Sequence, residues 1–133
     1  IAPTDHHRFL GVLVDQGLCF RQHVAAAYAQ GSWLVSQIRH ISTVRNGLSL
    51  PLVRRLYLTT VVLSMLYAAD TFLTPVRTLT GHSRRHGSVG HIHRLASVQR
   101  QALLAMTGAL RSAPTDALEA HTQLLPFDLL IDK

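Results

Sequence analysis

LSLPLVRRLYLTTVVLSMLYAADTF, residues Leu48 to Phe72, is the longest apolar passage of the chain, and its reading decides the fold. Ser49 suits a helix N-cap, and Pro51 falls where a first turn tolerates it. Leu52, Leu56, Leu63 and Leu66 share one face, extended by Val53, Tyr57, Thr60 and Val61. Past Arg55 the opposite side is apolar too, with Leu58, Val62 and Met65. A helix apolar nearly all round belongs in a core or in lipid. Only 14 residues separate Arg55 from Asp70, with two Thr and one Ser among them, whereas a bilayer span needs about 20. The expectation is a mainly α fold: a helical bundle around this central apolar helix, with no membrane partner.

At 133 residues the chain is one domain or part of one, long enough to bury a core. It opens on Ile1-Ala2-Pro3 without an initiator Met or signal peptide and stops at Lys133 in mid-pattern, so a piece of a larger polypeptide is expected. The lone Cys19 excludes an internal disulfide and suits a reducing compartment. With no activating pattern around it, it is expected as a small buried apolar residue. Net charge is +6, and twelve of the thirteen basic residues are Arg. The planar guanidinium fork matches phosphate, which points to a nucleic-acid partner.

Outward from the central stretch, RFLGVLV at Arg8 to Val14 reads as a short N-terminal strand broken by Gly11, where a bulge or a close backbone approach is expected. Phe20 to Ile41 reads as a long helix, its apolar positions at three/four spacing and Gly31 marking a close backbone neighbour. Asn46-Gly47 is a turn, and the central helix should end before Pro75. Residues 74–90, TPVRTLTGHSRRHGSVG, lack apolar periodicity and read as a mobile basic loop. His91 to Thr107 is a second amphipathic helix stopped by Gly108. A short helix follows from Thr115 toward Leu124, and another apolar turn begins at Phe127 after Pro126.

No catalytic constellation emerges. YAAD at Tyr67 to Asp70 invites a metal-binding reading, but two-metal chemistry needs converging carboxylates, and the seven acidic residues include no adjacent pair. Asp70 is expected as a helix-end carboxylate. His82, His86, His91 and His93 have HxxxH and HxH spacings, yet no Cys or carboxylate accompanies them and Arg84 and Arg85 would repel a cation, so no metal site is assigned. His6 and His7 are expected at the surface. Tyr28 and Trp33 are the aromatics able to stack on bases; the apolar stripe favours Tyr28 as core and leaves Trp33 off it.

Three strings carry a family resemblance: FLGVLVDQGLCFRQHV at Phe9 to Val24, LVRRLYLTTVVLSMLYAADTF at Leu52 to Phe72, and LASVQRQALLAMTGALRSAPTDALEAHTQLLPFDLL at Leu95 to Leu130. Their order resembles the C-terminal part of LINE-type (non-LTR) retrotransposon reverse transcriptases, particularly fungal ones. The resemblance implies residues 1–20 as the end of the palm with the primer-grip strand, 21–75 as thumb-like helices, 76–90 as a basic His/Arg loop, and 91–133 as C-terminal helices and the start of a linker. It implies a template–primer duplex as partner, alongside palm and fingers segments of the same polypeptide, and an intracellular, nuclear setting. The catalytic aspartates, and the Mg²⁺ they hold, would lie upstream; no cofactor is implied for this stretch.

Primer-grip contacts would fall to Phe9, Leu10 and Gly11 by this resemblance. Phosphate contacts are expected from Arg39, Arg45, Arg54, Arg55, Arg84, Arg85, Arg94 and Arg100. The competing expectations are a non-catalytic retroelement remnant and a helical protein–protein interaction module.

Overall fold

The computed structural model describes residues 5–42, 47–78 and 85–132, with the side chains of Thr78, Arg85 and His86 left aside. The fold class is the expected one, a bundle of helices preceded by a short antiparallel hairpin. Strand β1 (His6–Phe9) pairs with β2 (Val12–Asp15) in the register His6 to Asp15 and Phe9 to Val12. Gly11 is therefore not a bulge within one strand. Leu10 and Gly11 form the two-residue turn, with φ of 47° and 89°. Two positive φ values match the twist of the flanking strands, as in a type I′ turn.

Helix α1 (Arg21–Ile41) follows. The stretch from Leu48 divides into α2 (Leu50–Leu56), a π-helical segment (Tyr57–Val62) and α3 (Leu63–Met65). Ser49 takes the extended N-cap conformation, but its side chain makes no capping bond. Ala68, at φ 57°, starts the short α4 (Ala69–Phe72). The helix thus ends well ahead of Pro75, and Asp70 sits exposed in the first turn of α4 rather than closing the long helix.

Two further strands, β3 (Arg77–Thr78) and β4 (Arg85–His86), pair antiparallel across the stretch read as an unstructured loop; residues 79–84 lie outside the described chain. Helices α5 (Val89–Thr107), α6 (Thr115–Thr122) and α7 (Phe127–Ile131) complete the fold. Gly108 ends α5 in the left-handed conformation, as its position predicts.

The core joins α1, the π segment, α3 and α5, with α6 and α7 closing its far side. Val53, Tyr57, Val61 and Met65 are all buried at successive fourth positions. In a regular α-helix each such step overshoots a full turn by about 40°. The wider π turns take up that drift and hold the column on the core. Val62 is buried beside this column, and Leu56, Leu58 and Leu66 pack partly against the core, but Leu52 is 53% exposed and Leu63 66%. The expected all-round burial is therefore incomplete. Helix α5 packs against α1, α2, α6 and α7.

Gly31 does mark a close approach, but to side chains rather than backbone. A Cβ there would lie 2.6 Å from Met65 Sδ and 3.2 Å from Val98 Cγ1. Across the core, Tyr57 Oη donates to Gln99 Oε1 at 3.3 Å. Gln99 Nε2 donates to Glu119 Oε1 and to the Leu125 carbonyl, both at 2.9 Å. One amide thereby ties the π segment, α5, α6 and the link to α7.

Candidate nucleic-acid interface

The hairpin leans on the helical body and leaves a groove of about 640 Å³ beneath it. Arg8, Gly11 and Leu13 form its roof, His23, Ala26, Ala27 and Gln30 of α1 its floor, and Leu63, Ser64 and Tyr67 its far wall. The polar lining is a guanidinium, an imidazole, an amide and two hydroxyls. Among the described residues no carboxylate lines it, and α1 carries none along its 21 residues. Such a lining favours an anionic ligand.

The hairpin tip is apolar and exposed, Phe9 at 68% and Leu10 at 76%. A left-handed leucine costs about 1–2 kcal/mol. Tyr67 holds it by donating its hydroxyl to the Leu10 carbonyl at 2.9 Å. The Tyr67 ring stands against Gly11, where a Cβ would lie 3.2 Å from Cε1. The far strand ends on Asp15, whose carboxylate accepts from the backbone N–H groups of Phe20 (2.8 Å) and Cys19 (3.2 Å). The bond from Phe20 leads in holding that carboxyl below its ordinary range. This turn leaves Cys19 exposed rather than buried.

His23 joins the hairpin to α1. It is buried, packs edge-on to Phe72 with ring centres 4.6 Å apart, and accepts the Leu13 N–H on Nδ1 at 3.3 Å. Nδ1 is therefore unprotonated, and the proton of the neutral ring is on Nε2. Desolvation pushes its pKa below the ordinary 6.5. A histidine that resists protonation in the fold contributes stability that is complete above 6.5 and is lost as pH falls toward the folded value. Denaturant melts between pH 7 and pH 5 should show this loss. His23→Asn, which keeps an acceptor but cannot titrate, should flatten that limb; an unchanged limb would assign it elsewhere.

The arginines expected to grip phosphate do not share one groove. Arg54 is half-buried and donates to the Gln123 carbonyl at 2.9 Å, closing the C-terminus of α6, where a cation suits the helix dipole. Arg100 donates to the Arg111 and Ala113 carbonyls at 2.7 and 3.0 Å and to Thr115 Oγ1, moulding the turn between α5 and α6. Arg94 lies 5.2 Å above the Tyr28 ring. Arg39 and Arg55 are exposed, but Arg39 lies 16 positions after His23, on roughly the opposite side of α1 from the groove. Arg45, Arg84 and the side chain of Arg85 lie outside the description.

Of the expected site residues, Gly11 lines the groove, while Phe9 and Leu10 stand exposed at the hairpin tip and do not line it. Arg8, Gln30, Ser64 and Tyr67 join Gly11 without having been singled out by sequence. The alternation of β1, which sends neighbouring residues to opposite faces, could have flagged Arg8 beside Phe9. His91 is engaged with the Cys19 carbonyl at 3.1 Å. Among the described residues no three His, Cys, Asp or Glu side chains gather as a metal site, and no helix is long and apolar enough to cross a membrane. His82 and the His86 side chain lie outside them.

No protein-family model, curated protein or solved structure matches the chain.

Proposed function

We propose that the chain is the grip-and-thumb portion of an RNA-directed DNA polymerase of the non-LTR retrotransposon type. It holds template–primer nucleic acid, while the catalytic aspartates and their Mg²⁺ belong to another portion of the polypeptide. What supports this reading is the hairpin: an exposed Phe9-Leu10-Gly11 tip, braced by Tyr67, over a groove with Arg8 and no carboxylate. A sugar-phosphate strand seated there would meet Arg8 and Gln30 through its phosphates and pass close to the backbone at Gly11, beside the exposed hairpin tip. A net charge of +6 adds a general attraction for polyanions.

Binding led by phosphate contacts releases counterions, so affinity falls steeply with salt and varies little with sequence. Fluorescence anisotropy with a labelled primer–template at rising salt tests the proposal. A linear fall of log affinity against log salt is expected. Flat affinity, or no binding at low salt, would refute it.

A further inference from the structure

The floor of the groove continues beyond the hairpin. On α1, Ala26 and Gln30 line the groove. Trp33 follows seven positions after Ala26, about 20° round the helix from it, and Gln37 lies one turn further on the same face. Gln30, Gln37 and His40 are exposed, and Trp33 is 59% exposed. A helix that buries Val24, Ala27, Gly31, Val35 and Ile38 on its inner side thus leaves its largest side chain in solvent.

We infer that this face of α1 is a single-strand track, in which an unpaired base leaving the groove stacks on Trp33 while neighbouring bases meet Gln30 and Gln37. The inference rests on the nucleic-acid reading above and names the form of nucleic acid that the groove delivers.

Three features select that occupant. The neighbours of Trp33 along this face are Ala26, Ala29, Gln30, Gln37 and His40, so no apolar patch of the size a protein partner covers surrounds the ring. Stacking needs only one ring face with donors and acceptors beside it, and Gln amides supply both. Phosphates would meet no repulsion from α1 itself, which has no acidic residue. A duplex, by contrast, keeps its bases stacked on each other and offers the indole nothing to pair with.

Trp33 is the sole tryptophan, so indole emission reports this position alone. The full chain would be titrated at low salt with a labelled oligothymidylate and, separately, with a blunt duplex of equal length, following both anisotropy and emission. The expected result is saturable quenching by the single strand and little by the duplex. Trp33→Ala should weaken single-strand binding between about 5-fold and 150-fold, the range of one base–aromatic stack, and Trp33→Phe should retain most of the affinity. An unchanged melt of Trp33→Ala would show that the loss is not one of folding. Binding with unaltered emission, or a Trp33→Ala variant that binds as tightly as the parent, would overturn the track and leave the phosphate-binding groove standing. Failure of the parent to bind either nucleic acid would overturn both.

Discussion

Replacing Gln99 by alanine is expected to destabilise the fold by about 3–5 kcal/mol, at the upper end of single-residue effects. Gln99 is 1% exposed and its amide is fully used. Its removal strands the Tyr57 hydroxyl, the Glu119 carboxylate and the Leu125 carbonyl together, and each orphaned buried group costs about 1–3 kcal/mol before relaxation. Burial already pushes the Glu119 carboxyl above its ordinary range, against the opposing bond from Gln99. A raised carboxyl pKa gives stability that is present below the unfolded value of 4.5 and is lost as pH rises through the folded one. Without Gln99 that rise grows, so the variant should lose more stability at pH 7 than near pH 5. Denaturant melts at the two pH values check both points. A loss below about 1 kcal/mol would mean that the amide network is dispensable.

The second large effect is expected at Gly31. A valine there forces its Cβ to within 2.6 Å of Met65 Sδ and 2.9 Å of Met65 Cγ. Met65 is itself 1% exposed and has nowhere to swing. Overpacking of this kind costs about 1–3 kcal/mol, and valine adds two γ-methyls beyond a Cβ that already lies 3.2 Å from Val98 Cγ1, so about 3 kcal/mol is expected. Gly31→Ala should cost less, because alanine regains up to about 1 kcal/mol of helix propensity. Pairing Gly31→Val with Met65→Ala should recover part of the loss, since the two side chains compete for one space. Strict additivity in that cycle would place the strain elsewhere.

Much of the helical frame was legible because periodicity is a local property. Helix α1 lacks internal breakers apart from Gly31 and keeps three/four spacing, and α5 ends at the glycine its pattern requires. The hairpin turn was harder. Type I′ turns favour Asn-Gly, and Leu10 carries no signal for a positive φ. Its conformation is held from 57 residues away by Tyr67. The π segment was also silent, because its bonding shows only in which leucines end up outside, Leu63 above all. Least legible were the arginines. Composition marks the chain as phosphate-seeking, yet Arg54 and Arg100 turn out to be bound to backbone carbonyls. Only the folded chain distinguishes an arginine that closes a helix end from one, like Arg8, that lines a groove.

The central claim is that the hairpin groove meets phosphate while the arginines tied into the frame do not. The most direct measurement is the slope of log affinity against log salt for the parent chain, Arg8→Ala and Arg54→Ala on one primer–template. The account predicts a slope shallower by about 1 for Arg8→Ala, the loss of one phosphate contact, and no change of slope for Arg54→Ala. An unchanged slope for Arg8→Ala would contradict it.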